Sequence, residues 1–315
     1  MRVIYMGTPA YAVTPLTALL EGGHSVVGVV TQPDRPAGRG RGLMPPPVKV
    51  YAESQGLRVL QPATLRDAIA QAEIIALEPE VVVIAAYGLI LPRAVVEAPP
   101  LGCVNLHPSL LPRHRGPSPV AFTILEGDEI GGVSLMLLDR GTDSGPVLAQ
   151  EERPSMPEDT TGALTDELFS RGADLLARVL PAYGRGEVTP VPQDGSRATY
   201  ARKLTKEDGA IRWELSAAEL WRQVRAFTPW PGSYTRWRGG LLKVVEAVPI
   251  PELVTSAPGS VLRLPSDGPA PVGVATGDGV LGLVRVQPEG RRVMEAAEFM
   301  RGYGDFAGTT LTDVS

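Results

Sequence analysis

Short apolar runs alternate with stretches of helical periodicity through the first half of the chain. RVIYM (2–6), SVVGVVT (25–31), LRVL (57–60), VVVIAA (81–86), GCVNLH (102–107) and VSLMLL (133–138) read as strands. Several are apolar at successive positions, as strands covered on both faces are. Helices are predicted between them over 10–21, 46–55, 64–76 and 117–126. Strand–helix alternation at this spacing predicts βαβ units and a mostly parallel, Rossmann-like α/β sheet. A longer helix is predicted from the caps Asp159 and Thr160 to Pro181, with Leu164, Leu168, Leu175, Leu176 and Val179 on one stripe.

Beyond Pro181 the texture changes. Segment 182–200 is polar, without a sustained period, and reads as a linker. After it come GAIRW, SYTRW, LLKVVEAV, GSVLRL, PVGVAT and GVLGLVRV, short β-like runs separated by Gly, Pro and Asp turns. Helices are predicted among them over 216–227 and near 294–301. Many short strands with turn signals predict a small antiparallel barrel.

At 315 residues and 43% hydrophobic content, the chain has enough apolar material for two cores. No apolar run approaches the ~18 residues of a membrane span. The N-terminus reads as a strand and not as an export leader, so a cytoplasmic location is expected. The single cysteine, Cys103, excludes an internal disulfide and a cysteine-based zinc site. With three histidines, His24, His107 and His114, no metal is expected. Net charge is −5, yet 201–243 carries nine positive groups against four acids. A smaller excess lies in 34–49, where Arg35, Arg39, Arg41 and Lys49 face only Asp34. Segregation of this kind lets an acidic protein hold a polyanion at one place; a solvated basic face gives the same count.

The first strand–helix turn, Met6-Gly7-Thr8-Pro9, is not a dinucleotide fingerprint, and the second strand ends Thr31-Gln32-Pro33 without the acid that holds a ribose. The densest polar cluster lies in GCVNLHPSLLPRHRGPSPV (102–120). Alternation puts Asn105 and His107 on one face of that strand, and Pro108 stops it, delivering both to the sheet edge where ligands enter. A second loop, DRGTDSGP (139–146), presents Asp143. Sequence leaves open whether Asp143 reaches His107. If it does, the carboxylate raises the imidazole pKa and fixes its tautomer.

The chain resembles the methionyl-tRNA formyltransferase family along nearly its whole length: in MGTPAYAV, AYGLILP, HPSLLPRHRG, GTDSG, YARKLTKEDGAIRW, RAFTPWPGSY and MEAAEFMRG. The Asn-x-His-Pro-Ser-Leu-Leu-Pro and late Asp motifs belong to enzymes that use 10-formyltetrahydrofolate generally; the pieces after residue 200 are particular to the tRNA enzymes. The resemblance implies a formyl-folate-binding catalytic domain over 1–185, a linker over 186–205 and an OB-like tRNA-binding domain over 206–315. It implies formyl transfer from 10-formyltetrahydrofolate to the α-amino group of methionine on initiator tRNA, by a monomer without a metal.

By the same resemblance, Asn105, His107 and Asp143 are the catalytic residues. Ser109, Leu110, Leu111, Pro112, Tyr87 and Gly88 line the folate pocket. Arg39 and Arg41 form a basic finger, and Lys203, Lys206, Arg212 and Lys243 contact tRNA phosphates. His114 stands where the family usually carries tryptophan, and Gly-Pro-Ser-Pro (116–119) replaces Gly-Ala-Ala-Pro. The competing readings are a formyltransferase for a small amine, such as an amino sugar or ribonucleotide, and a non-catalytic RNA-binding protein. The first leaves the basic 201–243 segment without a polyanion, and the second leaves Asn105 and Asp143 without work.

Overall fold

Val3 and Tyr5 of β1 (Arg2–Gly7) are buried on one face of a sheet and Ile4 and Met6 on the other, so the strand is apolar throughout because both its faces are covered. The computed structural model describes residues 1–37, 42–251, 255–265 and 267–312. The chain divides into two units. The first is Met1–Pro119, Ile130–Pro154 and Thr165–Ala201; the second is Val120–Glu129, Ser155–Leu164 and Arg202–Ser315.

In the first unit β1 is joined by β2 (Ser25–Val30), the hairpin β3 (Arg35–Ala37) and β4 (Gly42–Met44), β5 (Val59–Leu60), β6 (Val81–Ala85), β7 (Cys103–His107), β8 (Ile130–Leu137) and β9 (Val147–Pro154). The seven-stranded sheet runs β5-β2-β1-β6-β7-β8-β9. Its first five strands are parallel; β8 runs antiparallel to β7, and β9 antiparallel to β8. One face is covered by α1 (Val13–Glu21) and α2 (Pro47–Ser54) through Leu16, Leu19, Val48 and Ala52. The other is covered by α3 (Ala68–Ile75) and α4 (Arg93–Val96) through Ile74 and Val95. A parallel sheet with helices on both faces is the Rossmann-like arrangement, and chain order reverses at β1 and β6, where such sheets bind ligands.

Two features depart from the sequence pattern. β9 carries Glu151, Glu152 and Arg153 in succession because it is the sheet edge, where only Leu148 is deeply buried. After α5 (Pro119–Leu125), the helix expected to stop at Pro181 continues as α6 (Thr161–Gly184). Proline forfeits one helical bond, but its carbonyl still accepts from Arg185 N at 3.2 Å, and Leu180 and Tyr183 remain packed on the core.

The second unit carries α7 (Ala217–Ala226), β10 (Ser233–Trp237), β11 (Gly240–Ile250), β12 (Val261–Arg263), β13 (Val272–Ala275), β14 (Val280–Pro288), β15 (Met294–Glu295) and α8 (Ala296–Gly302). The antiparallel order is β10-β11-β14-β13-β12, with β15 on β14. GAIRW (209–213) is not a strand: it buries Ile211 and Trp213 and bridges to the sheet at Ala210, opposite Tyr234. Residues 308–312 connect the two edges. Leu311 N donates to Gly259 O at 2.8 Å beside β12, and Thr312 exchanges backbone hydrogen bonds with Arg236 of β10. The chain end thereby closes the sheet into a small barrel.

Candidate active site

β7 carries Asn105 and His107 on the face shared with Cys103, while Val104 and Leu106 enter the opposite core. Burial pushes the Cys103 thiol up to about 12, which makes it a packing residue. Asn105 is half-buried, between Ile84 of β6 and Met136 of β8. His107 lies opposite Ser134 and is 4% exposed.

The imidazole is hydrogen-bonded through one nitrogen and faces a carboxylate with the other. Its Nε2 lies 3.0 Å from the His114 carbonyl. A carbonyl only accepts, so Nε2 carries the hydrogen and the neutral ring keeps its lone pair on Nδ1. That Nδ1 faces Asp143 Oδ2 at 3.8 Å. Sequence reasoning had the carboxylate raising the imidazole pKa and fixing its tautomer. Asp143 does push it up, but burial outweighs it and the pKa falls below the ordinary value. The tautomer is set by the His114 carbonyl instead.

Asp143 and His114 both adopt left-handed backbone conformations, with φ of 47° and 57°. Non-glycine residues take this region at a cost and persist there when the surroundings impose it. Here Asp143 Oδ2 accepts from Gly116 N at 2.8 Å, and its carbonyl accepts from Gln193 Nε2 at 2.9 Å. His114 N donates to Thr199 Oγ1 at 2.9 Å.

The Ser109–Pro112 turn is held from below by β8 and β9. Ser134 Oγ donates to Ser109 O at 2.6 Å and accepts from Leu111 N at 3.1 Å and Gln150 Nε2 at 2.8 Å. Gln150 also donates to Leu111 O at 2.9 Å. Leu110 folds back onto β8, where a Cβ on Gly132 would meet its Cδ2 at 2.5 Å. Ser109 is buried and donates to Arg113 O, and the Leu111–Pro112 peptide is cis.

At the end of β6 the Tyr87 ring packs in the core, 1% exposed, and burial lifts its hydroxyl to about 12. Its carbonyl ties three strand ends together by accepting from Thr8 Oγ1 at 3.0 Å and Gln32 Nε2 at 2.9 Å. Gly88 follows, exposed at φ 87°. Its left-handed backbone suits glycine, and a Cβ there would lie 2.4 Å from Gln32 Nε2, the group that bonds the Tyr87 carbonyl.

Lys203, Lys206, Arg212 and Lys243 are all exposed in the second unit. Three gather about Tyr234 of β10: Lys243 is its cross-strand partner, Lys206 O accepts its hydroxyl at 2.8 Å, and Ile211 N beside Arg212 donates to its carbonyl at 2.9 Å. Arg202 in the same stretch is committed to Asp208, whose carboxyl it lowers to about 2. Arg39 and Arg41 lie outside the described residues.

Sequence reasoning missed Ser134, Gln150, Arg115, Gln193 and Thr199. Ser134 and Gln150 become visible only from register, since His107, Ser134 and Gln150 lie in line across β7, β8 and β9. Arg115, Gln193 and Thr199 gave no signal, because Gln193 and Thr199 bond backbone groups of other loops and Arg115 bonds the Gln193 side chain 78 residues away.

A family model described as formyl transferase matches residues 1–180, and one described as formyl transferase, C-terminal domain, matches 203–304. The chain is 51% identical to the methionyl-tRNA formyltransferase of Roseiflexus sp. (strain RS-1), covering 100% of this chain and 96% of the relative. It is 53% identical to that of Chloroflexus aggregans, covering 96% and 97%. Among solved structures, the sugar 3N-formyltransferase WlaRD, crystallised with dTDP and 5-N-formyl-THF, superposes with a TM-score of 0.66 at 15% identity, over 93% of this chain and 99% of that one. HypX from Aquifex aeolicus in complex with tetrahydrofolic acid gives 0.64 at 19% identity, over 98% of this chain and 48% of that one. With both units matched and half the residues identical to its curated relatives, the chain belongs to the formyl transferase family, in the branch of the methionyl-tRNA formyltransferases.

Proposed function

We propose that this protein transfers the formyl group of 10-formyltetrahydrofolate to the α-amino group of methionine on initiator tRNA, in the cytoplasm and at the start of translation. The observation that carries the proposal is the identity of about one half to relatives of that name through both units. Solved sugar formyltransferases share the fold at far lower identity. The basic residues around Tyr234 supply the polyanion contact that a small amine does not need.

The chemistry follows from the site. The amine nitrogen attacks the formyl carbon, and negative charge builds on the formyl oxygen as the carbon becomes tetrahedral. The Asn105 amide offers N–H donors to that oxygen from the end of β7. The amine must lose a proton as its new bond forms. Nδ1 of His107, a bare lone pair beside the Asp143 carboxylate, receives it, and the imidazolium so formed is stabilised by the facing charge. When the carbon–nitrogen bond to the folate breaks, the same proton goes to the departing nitrogen. Atoms and protons balance without a covalent enzyme intermediate or a metal. The Ser109–Pro112 turn and the Tyr87-Gly88 strand end hold the folate rings, and Lys203, Lys206, Arg212 and Lys243 hold the RNA backbone, with Arg39 and Arg41 as the basic finger.

Incubation with 10-formyltetrahydrofolate and methionyl initiator tRNA, followed by mass analysis of the released amino acid, tests this. Formylmethionine is the expected product. Formylation of an amino sugar or ribonucleotide in its place contradicts the acceptor assignment.

A further inference from the structure

We infer that Gln193 is a positioning residue for Asp143, an inference that rests on the catalytic reading above. Its side chain uses all of its hydrogen-bonding capacity. The two hydrogens of Nε2 go to Asp143 O at 2.9 Å and Gly145 O at 2.7 Å. The two lone pairs of Oε1 accept from Arg115 Nε at 3.1 Å and Nη2 at 2.8 Å. Because a guanidinium only donates, the amide has one orientation: oxygen to Arg115, nitrogen to the Asp143 loop.

Arg115 is 6% exposed and stands between two residues that touch the site. The carbonyl of His114 accepts from His107 Nε2, and Gly116 N donates to Asp143 Oδ2 at 2.8 Å. A closed circuit results, running from the imidazole through His114, Arg115 and Gln193 to the Asp143 backbone, and back through the carboxylate to Gly116. Asp143 sits in the left-handed region, which a free loop would leave. Gln193 grips the backbone of this loop on both sides of Ser144, at Asp143 and at Gly145. Holding that loop fixes the 3.8 Å spacing between Oδ2 and Nδ1 on which proton acceptance depends.

Gln193→Glu separates positioning from packing. The carboxylate keeps both acceptors for Arg115 but has no N–H for Asp143 and Gly145. Gln193→Ala removes both arms. In full-length protein, Q193E should fold and bind methionyl-tRNA and folate with near-native KM. Its kcat should fall by about 100-fold, the scale of an ångström's misplacement of a catalytic group. The acid limb of its pH–rate profile should move to lower pH, because the carboxylate that supports the imidazolium has drifted away. Native kcat and pH profile in Q193E would overturn the inference. So would a Q193A whose lost stability comes with an unmoved profile. Asp143→Ala measured alongside tells the two failures apart: turnover surviving in D143A sinks the catalytic reading itself, while an inactive D143A beside a native Q193E sinks this inference alone.

Discussion

His107 turns its Nδ1 lone pair to the Asp143 carboxylate at 3.8 Å while its Nε2 hydrogen is committed to the His114 carbonyl at 3.0 Å. The ring cannot flip to present the other nitrogen without losing a buried hydrogen bond. On the proposed mechanism, that Nδ1 lone pair takes up the proton leaving the amine.

This arrangement fixes a pH dependence. Burial holds the His107 pKa below the ordinary value of 6.5, against the opposing pull of Asp143. The proton-accepting form is the neutral one, so kcat/KM should be level near neutrality and fall in acid with a midpoint under 6.5. Asp143→Asn removes the charge that supports the imidazolium, and the midpoint of the residual activity should move lower still. A pH–rate series on both proteins checks it; an upward move contradicts it. Stability follows the same sign. The unfolded imidazole takes a proton that the buried one resists, so stability declines as pH drops through the ordinary histidine pKa.

Ser134 lies under the Ser109–Pro112 turn with its hydroxyl fully used. Ser134→Ala strands Leu111 N and removes the donor to Ser109 O, and burying such a group unpaired costs about 1–3 kcal/mol. Denaturant unfolding should show that loss. A raised KM for the folate should accompany it, because the Ser109–Pro112 turn loses its support. Unchanged stability would mean that Gln150 alone anchors the turn.

The basic group around Tyr234 predicts a salt response. Glutamine at Lys206, Arg212 or Lys243 should weaken tRNA binding and reduce the slope of log affinity against log salt by about 1 for each phosphate left unneutralised. Turnover at saturating tRNA should hold. Titrations at several ionic strengths decide it, and an unaltered slope in all three variants would make these residues a solvated face.

Barrel closure has its own test. Gly259 has a φ of 87°, and a Cβ there would lie 2.5 Å from Leu311 O. Gly259→Ala should therefore push the closing segment off β12 and lower thermal stability, whereas Gly290→Ala, with a φ of 69° and open space around it, carries only the conformational cost. Equal losses in the two variants would show that closure adds nothing.

The sheet was legible because both-face burial writes continuous apolar runs, and Asn105 with His107 was legible because a strand alternates. The approach of Asp143 was not. It depends on an antiparallel return through β8, and no local pattern reports that register. β9 hid behind its charges, and the tautomer-setting contact hid in a backbone carbonyl, which any residue at 114 would supply. Gln193 lay in a segment read as a linker, and its role is a contact made across 50 residues of sequence. Residues that act through other loops leave no spacing rule to read.

Single-turnover formylation with Asn105→Ala shows whether Asn105 meets the charge developing on the formyl oxygen. Losing one such donor typically slows the chemical step about 100- to 1000-fold, and N105A should show that loss with tRNA and folate affinity retained. A native single-turnover rate in N105A would contradict it.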